Sequence, residues 1–180
     1  MKSAKLWVAL VIFAAASVAV IGCDVGVNPL LFDGSPVSAK YRVDTDGSSY
    51  LESKTVDLAT VVEDIDKEID SIKVFNVTLF IDSTEGTASG TTASGFVALD
   101  ALTLVSLTDV PLSAFATERS IFDTTITGFH YNDAGVAHLI SVLKQRPLPS
   151  VDVSVSGSTS SSPLHFTLHL KLYTQVFTTP

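Results

Sequence analysis

The sequence predicts a mainly β protein of the α+β class, an antiparallel β-sandwich or sheet of about seven strands with two amphipathic helices. Three observations lead there. Apolar residues alternate with polar ones along Leu164, Phe166, Leu168, Leu170 and Leu172, and again along Phe75, Val77, Leu79 and Ile81, the period of a strand with one buried face. Short extended stretches recur between segments rich in Gly, Ser and Thr. Charged residues make up only 17% of the chain, below the usual quarter, so Ser and Thr supply the polar surface, as suits solvated strand faces outside the cytoplasm.

The chain opens with Lys2 and Lys5, an apolar run from Leu6 to Val20, and then Val20-Ile21-Gly22-Cys23. The lysines hold the start on the cytoplasmic side, and the run suits a signal core but is short for crossing roughly 30 Å of hydrocarbon. Because Leu6 to Cys23 carries no charge, a transmembrane anchor is the competing reading. Residues 1–23 resemble a bacterial lipoprotein signal peptide with its lipobox; the resemblance extends no further. It implies cleavage between Gly22 and Cys23, acylation of Cys23, and a mature domain in the cell envelope, outside the cytoplasm and lipid-anchored to the inner or outer membrane. Asp24 resembles the enterobacterial signal for inner-membrane retention. The organisation implied is a signal peptide over 1–22, a lipidated cysteine and tether over 23–37, and a single β-rich globular domain over 38–180.

Cys23 is the only cysteine, so the domain has no intramolecular disulfide and must hold by packing. About 157 residues follow it, enough for one core. With Lys2 and Lys5 removed, nine basic residues face nineteen acidic ones, a net charge of −10 that argues against nucleic acid and against anionic lipid surfaces.

Taking the elements in order, Asp24 to Val37 contains Gly26, Pro29, Gly34 and Pro36 without periodicity and reads as a tether, in which Leu30-Leu31-Phe32 is the part able to dock on the core. Ser38 to Thr45 and Ser48 to Val56 read as strands of a hairpin about Asp46-Gly47. From Asp57, the apolar residues Leu58, Val61, Val62, Ile65, Ile69 and Ile72 fall on one helical face, opposite an acidic face from Glu63 to Asp70. A half-buried strand follows through Phe75 and Ile81. Ser83 to Gly95 reads as a loop, and Phe96 to Leu107 as a strand covered on both sides. Ile121 to His130 is a further strand. Asn132 caps a second helix, with Val136, Leu139, Ile140 and Leu143 on its apolar face and Pro147 ending it. Val151 to Ser156 and Leu164 to Phe177 form a last strand pair across Gly157 to Pro163. This order suggests two related halves, the second starting at Ile121.

Sites of chemistry are few. His165 and His169 share a strand face but lie roughly 13 Å apart, too far to bind one zinc ion, and read as surface histidines. His138 lies opposite its helix's apolar stripe. Asp44-Thr45-Asp46-Gly47 is similar to the start of a calcium loop, but Ser49 and Thr55 stand where Gly and Glu are required. Ser141 and Lys144 fit S-x-x-K without its companion motifs, and Asn76-Val77-Thr78 fits a glycosylation sequon. No catalytic residue, metal ligand or cofactor site is assigned. The leading expectation is a membrane-anchored, noncatalytic binding or structural module that presents Ser83 to Gly95 and Gly157 to Pro163 to an envelope protein, a glycan or the cell wall. The alternative is a carrier holding a lipid or other apolar ligand between helices and sheet.

Overall fold

Ten strands build two antiparallel sheets in the computed structural model, which describes residues 30–179 apart from 83 and 85. In chain order they are β1 (Leu30–Asp33), β2 (Val37–Thr45), β3 (Ser49–Asp57), β4 (Ile69–Asp82), β5 (Thr92–Leu99), β6 (Leu102–Pro111), β7 (Arg119–Ser120), β8 (Phe129–Tyr131), β9 (Ser150–Thr159) and β10 (Leu164–Thr178). One α-helix, α1 (Asp133–Leu143), and short 3-10 helices at Leu58–Val62 and Leu112–Phe115 complete the described elements. The predicted class, a mainly β antiparallel sandwich with helical additions, is the class observed, though with ten strands and one α-helix rather than about seven and two.

β10 organises the first sheet. Its alternation buries Leu164, Phe166, Leu168, Leu170, Leu172 and Val176 on one face, as the sequence period requires. β4 runs along one edge of it, with β7 beyond; β2 and β1 lie one after the other along its opposite edge. The second sheet runs β3-β9-β5-β6-β8. Val97, Leu99, Leu104, Val105, Val151, Val153 and Val155 meet the β10 side chains in a shared core. Tyr41, with no exposed surface, crosses this core and donates its hydroxyl to the Val153 carbonyl at 3.1 Å. Burial pushes its phenol up to about 12.

Several expected elements are corrected. The helix from Asp57 to Ile72 is absent: Asp57 caps only the 3-10 helix, accepting from the Ala59 amide at 2.9 Å, and β4 begins at Ile69. The acids from Glu63 to Asp70 would have crowded the helix's C-terminal half, where the macrodipole opposes them, and β-branched Ile69 and Ile72 suit a strand equally well. Within β4 a bulge sets Phe75 and Asn76 against Tyr173 alone. Ile72 therefore points inward before it and Val77, Leu79 and Ile81 after it, while Phe75, expected on their face, is 68% exposed.

The hairpin about Asp46-Gly47 is also absent. β2 pairs with β10 and β3 with β9, so this turn is a corner between sheets, with the Gly47 amide donating to Thr45 Oγ1 at 3.1 Å. Lys54 of β3 closes the seam beside it, donating its ammonium to the Lys40 carbonyl. Nor do β9 and β10 pair with each other; they are central strands of opposite sheets. The expected strand Phe96 to Leu107 is the hairpin β5–β6, turning at Asp100 and Ala101, both at positive φ. Ile121 to His130 is mostly turns, with only its end in β8. Gly95 and Gly157, expected in loops, are strand residues.

The second helix is present, and Asn132 caps it by accepting from the Ala134 and Gly135 amides at 2.9 and 3.2 Å. Its buried side is rotated from the expected stripe, with Val142 buried and Ile140 exposed, because Gly135 sits against the Thr103 and Leu104 backbone. Of the segment read as a tether, Leu30–Asp33 is β1, so the folded unit extends back to Leu30. The two halves do not repeat: among the described residues the first has no α-helix, and each sheet draws strands from both. Gly22 and Cys23 lie outside the described residues, as do the apolar run and its lysines.

Candidate functional site

Strand alternation places His165, Thr167, His169, Lys171 and Tyr173 on the outer face of β10, and neighbouring strands supply partners from far along the chain. His165 stands directly opposite Asp44 of β2, with Nδ1 2.7 Å from Asp44 Oδ1; Arg42 donates to the other oxygen at 3.2 Å. His169 Nε2 lies 2.8 Å from Asp82 Oδ2, and its ring packs on Phe80 at 5.6 Å between centroids. The two surface histidines of the sequence reading are thus cross-strand partners of carboxylates.

Further along the same face, Glu118 accepts from Thr78 Oγ1 at 2.5 Å and Tyr173 Oη at 2.7 Å, and from Lys171 Nζ at 3.2 Å. The hydrogen bond from Thr78, then that from Tyr173, holds its carboxyl below the usual range against a smaller opposing effect of burial. Bonding to Glu118 raises the Lys171 and Tyr173 values in turn. Asn76 of the sequon accepts from the Ser120 hydroxyl at 2.7 Å in the same neighbourhood.

The pole at the Leu164 end of β10 gathers the two loops that the sequence singled out. Thr87 clips one of them to β10: its hydroxyl accepts from the His165 amide at 3.0 Å and donates to the His165 carbonyl at 3.1 Å. Gly86, at φ +86°, lets the loop lie against the imidazole, where a Cβ would press on the ring. The loops then join each other. The hydroxyls of Thr91 and Ser161 are 2.5 Å apart, the Thr92 amide donates to Ser160 Oγ at 3.0 Å, and the Ser160 amide donates to the Thr92 carbonyl at 2.9 Å.

Beside this junction lies a cleft of about 540 Å³ lined by Phe80, Asp82, Thr84, Thr87, Ser89 and Ser113, among others. A second, of about 380 Å³, is lined by Lys40, Arg42, Asp44, Asp82, His165 and Thr167. Asp82 belongs to both. The pair offers hydroxyls, carboxylates and cations around an aromatic ring, a set suited to hydrogen-bonding a polar ligand. Between the sheets, two apolar cavities among the described residues are small by comparison, about 40 and 20 Å³.

His138 is hydrogen-bonded to Asp100 at 3.0 Å, and the Ser141 hydroxyl donates to the His138 carbonyl at 2.8 Å, a bond within its own helix. Asp44, from the calcium-like stretch, is committed to His165 and Arg42. Among the described residues no three His, Cys, Asp or Glu side chains gather as a metal site, and no helix is long and apolar enough to cross a membrane. Glu118 and Phe80 were not singled out by sequence: Glu118 lies in an irregular segment, and nothing local marks Phe80 as a neighbour of His169.

No family model matches the chain, and no curated protein matches it. Among solved structures, the crystal structure of a decameric BFDV capsid protein is loosely similar, with a TM-score of 0.33 and 10% identity over 82% of this chain and 99% of that one. A likeness this loose carries nothing about function or assembly.

Proposed function

We propose that the chain is a membrane-anchored envelope lipoprotein, held by acylated Cys23, whose sandwich is a noncatalytic module that binds an envelope glycan at the loop pole. The observation that carries this reading is the joining of both Ser/Thr loops beside the cleft containing Phe80 and Asp82. Hydroxyls and a carboxylate match sugar hydroxyls, and an aromatic ring gives a sugar face something to stack on. The net charge of −10 favours a neutral ligand over an anionic one.

The polarity of the sheet supports the same reading. Leu30 pairs with Thr178, so the folded unit begins at the opposite end of β10 from the loops, roughly 45 Å away at about 3.3 Å per residue. A tether from Cys23 reaches Leu30 in seven residues, at most about 25 Å. The loops therefore lie farther along β10 from Leu30 than this tether can span. The carrier alternative lacks comparable support, because cavities of about 40 and 20 Å³ hold no acyl chain.

The test is co-sedimentation of the detergent-extracted mature protein with purified cell-wall sacculi, alongside its intact mass. Acylation of Cys23 and retention on sacculi that falls several-fold in both Asp82→Ala and Phe80→Ala are expected. Retention unaffected by either substitution would remove the loop pole as the binding surface.

A further inference from the structure

We infer that a patch on the outer face of the first sheet, at the Leu30 end, docks on the uncharged interfacial region of the bilayer to which Cys23 is anchored. This inference rests on the lipoprotein reading above.

The patch follows from register. On β1, Leu31 stands opposite Phe177 of β10, which stands opposite Ser71 of β4, so all three share a face. In the next row along that face are Asp33, Gln175 and Lys73, with the Lys73 ammonium 4.6 Å from the Phe177 ring centroid. The bulge then turns Phe75 outward beside Tyr173, which a regular ladder would have sent into the core. Leu31 is 54% exposed and Phe75 68%, and Leu30 and Phe32 on the other side of β1 are exposed too, so large apolar groups are left in solvent on both sides of this edge strand.

The occupant is set by where the chain leads. Leu31's neighbour Leu30 is seven residue steps from the acylation site, so a bilayer lies within about 25 Å of the patch and the anchor keeps it there. Leucine, phenylalanine, tyrosine and a lysine able to extend its ammonium outward are the side chains that settle at the boundary between headgroups and acyl chains. The acidic stretch from Glu63 to Asp70 leads into β4 at the same end, and it opposes an anionic surface. A zwitterionic interface is therefore the better match.

The only tryptophan, Trp7, leaves with the signal peptide, so Phe75→Trp introduces a single indole into the mature chain. The lipidated variant is reconstituted in phosphatidylcholine vesicles containing brominated phosphatidylcholine. Leu51→Trp, at a 72% exposed position on the other sheet, is the reference. Docking predicts at least twofold stronger quenching and a blue-shifted emission for Phe75→Trp relative to Leu51→Trp, both reduced when Leu31→Ser is added. Equal quenching in a chain whose mass carries the acyl groups would overturn the docking inference alone. A mature chain without acyl groups would overturn the anchor and the docking inference with it.

Discussion

Gly95 of β5 and Gly157 of β9 stand directly opposite each other, and the Tyr50 hydroxyl closes over the pair at 2.8 Å from where a Gly157 Cβ would lie. A side chain at Gly157 would also meet the Ser94 carbonyl, and one at Gly95 the Ser156 carbonyl. Tyr50 fills the space they leave and meets Phe166 edge-on at 5.6 Å. Gly157→Ala and Gly95→Ala should each lose about 1–3 kcal/mol in urea unfolding, the usual cost of overpacking. Gly47→Ala, whose Cβ would meet nothing nearer than 3.5 Å, should stay within about 0.5 kcal/mol.

Tyr41 links its sheet to Val153 of the other, and its raised value makes that link alkali-sensitive. The unfolded chain loses this proton near 10.0 while the folded chain keeps it to about 12, so stability present below pH 10 falls as pH rises between them. The loss should reach roughly 2–3 kcal/mol. Thermal unfolding of Tyr41→Phe should be lower than wild type at pH 8 and approach it at pH 11 to 12.

Thr174 and Thr178 are buried in β10 with hydroxyls that find no hydrogen-bond partner among the described residues. Valine has nearly the same shape without the unsatisfied group. Thr174→Val and Thr178→Val should each raise stability by about 1 kcal/mol, read from the urea midpoint at unchanged slope.

Glu118 accepts from buried Thr78, and its carboxyl is held below the ordinary 4.5. A depressed carboxylate contributes stability above the unfolded value and loses it as pH falls through the folded one. Glu118→Gln should therefore cost about 1–2 kcal/mol at pH 7. The gap from wild type should narrow below pH 4.5 in matched denaturation curves at the two pH values.

How much could be read from the chain alone depends on how local the determining contact is. The alternation along β10 and the Asn132 cap are settled within a few residues, so sequence located both, together with the outward placement of His165 and His169. The pairing of those histidines was out of reach, because their carboxylates lie 121 and 87 positions away. The same distance hid the junction of the two loops, each legible only as polar sequence.

Composition, period and turn residues determined that this is a mainly β protein with alternating faces, and residues 1–23 carried the anchor reading. Tertiary structure decided whether residues 57–72 wind or extend, since isoleucines at 65, 69 and 72 satisfy part of either period and only β10 offered a long ladder. It also decided that Asp46-Gly47 turns between sheets instead of within one, because β2 pairs with β10, which lies more than a hundred residues beyond it. Side-chain period is a property of neighbours along the chain, whereas strand partners and the bulge at Phe75 follow from which apolar faces can be buried together.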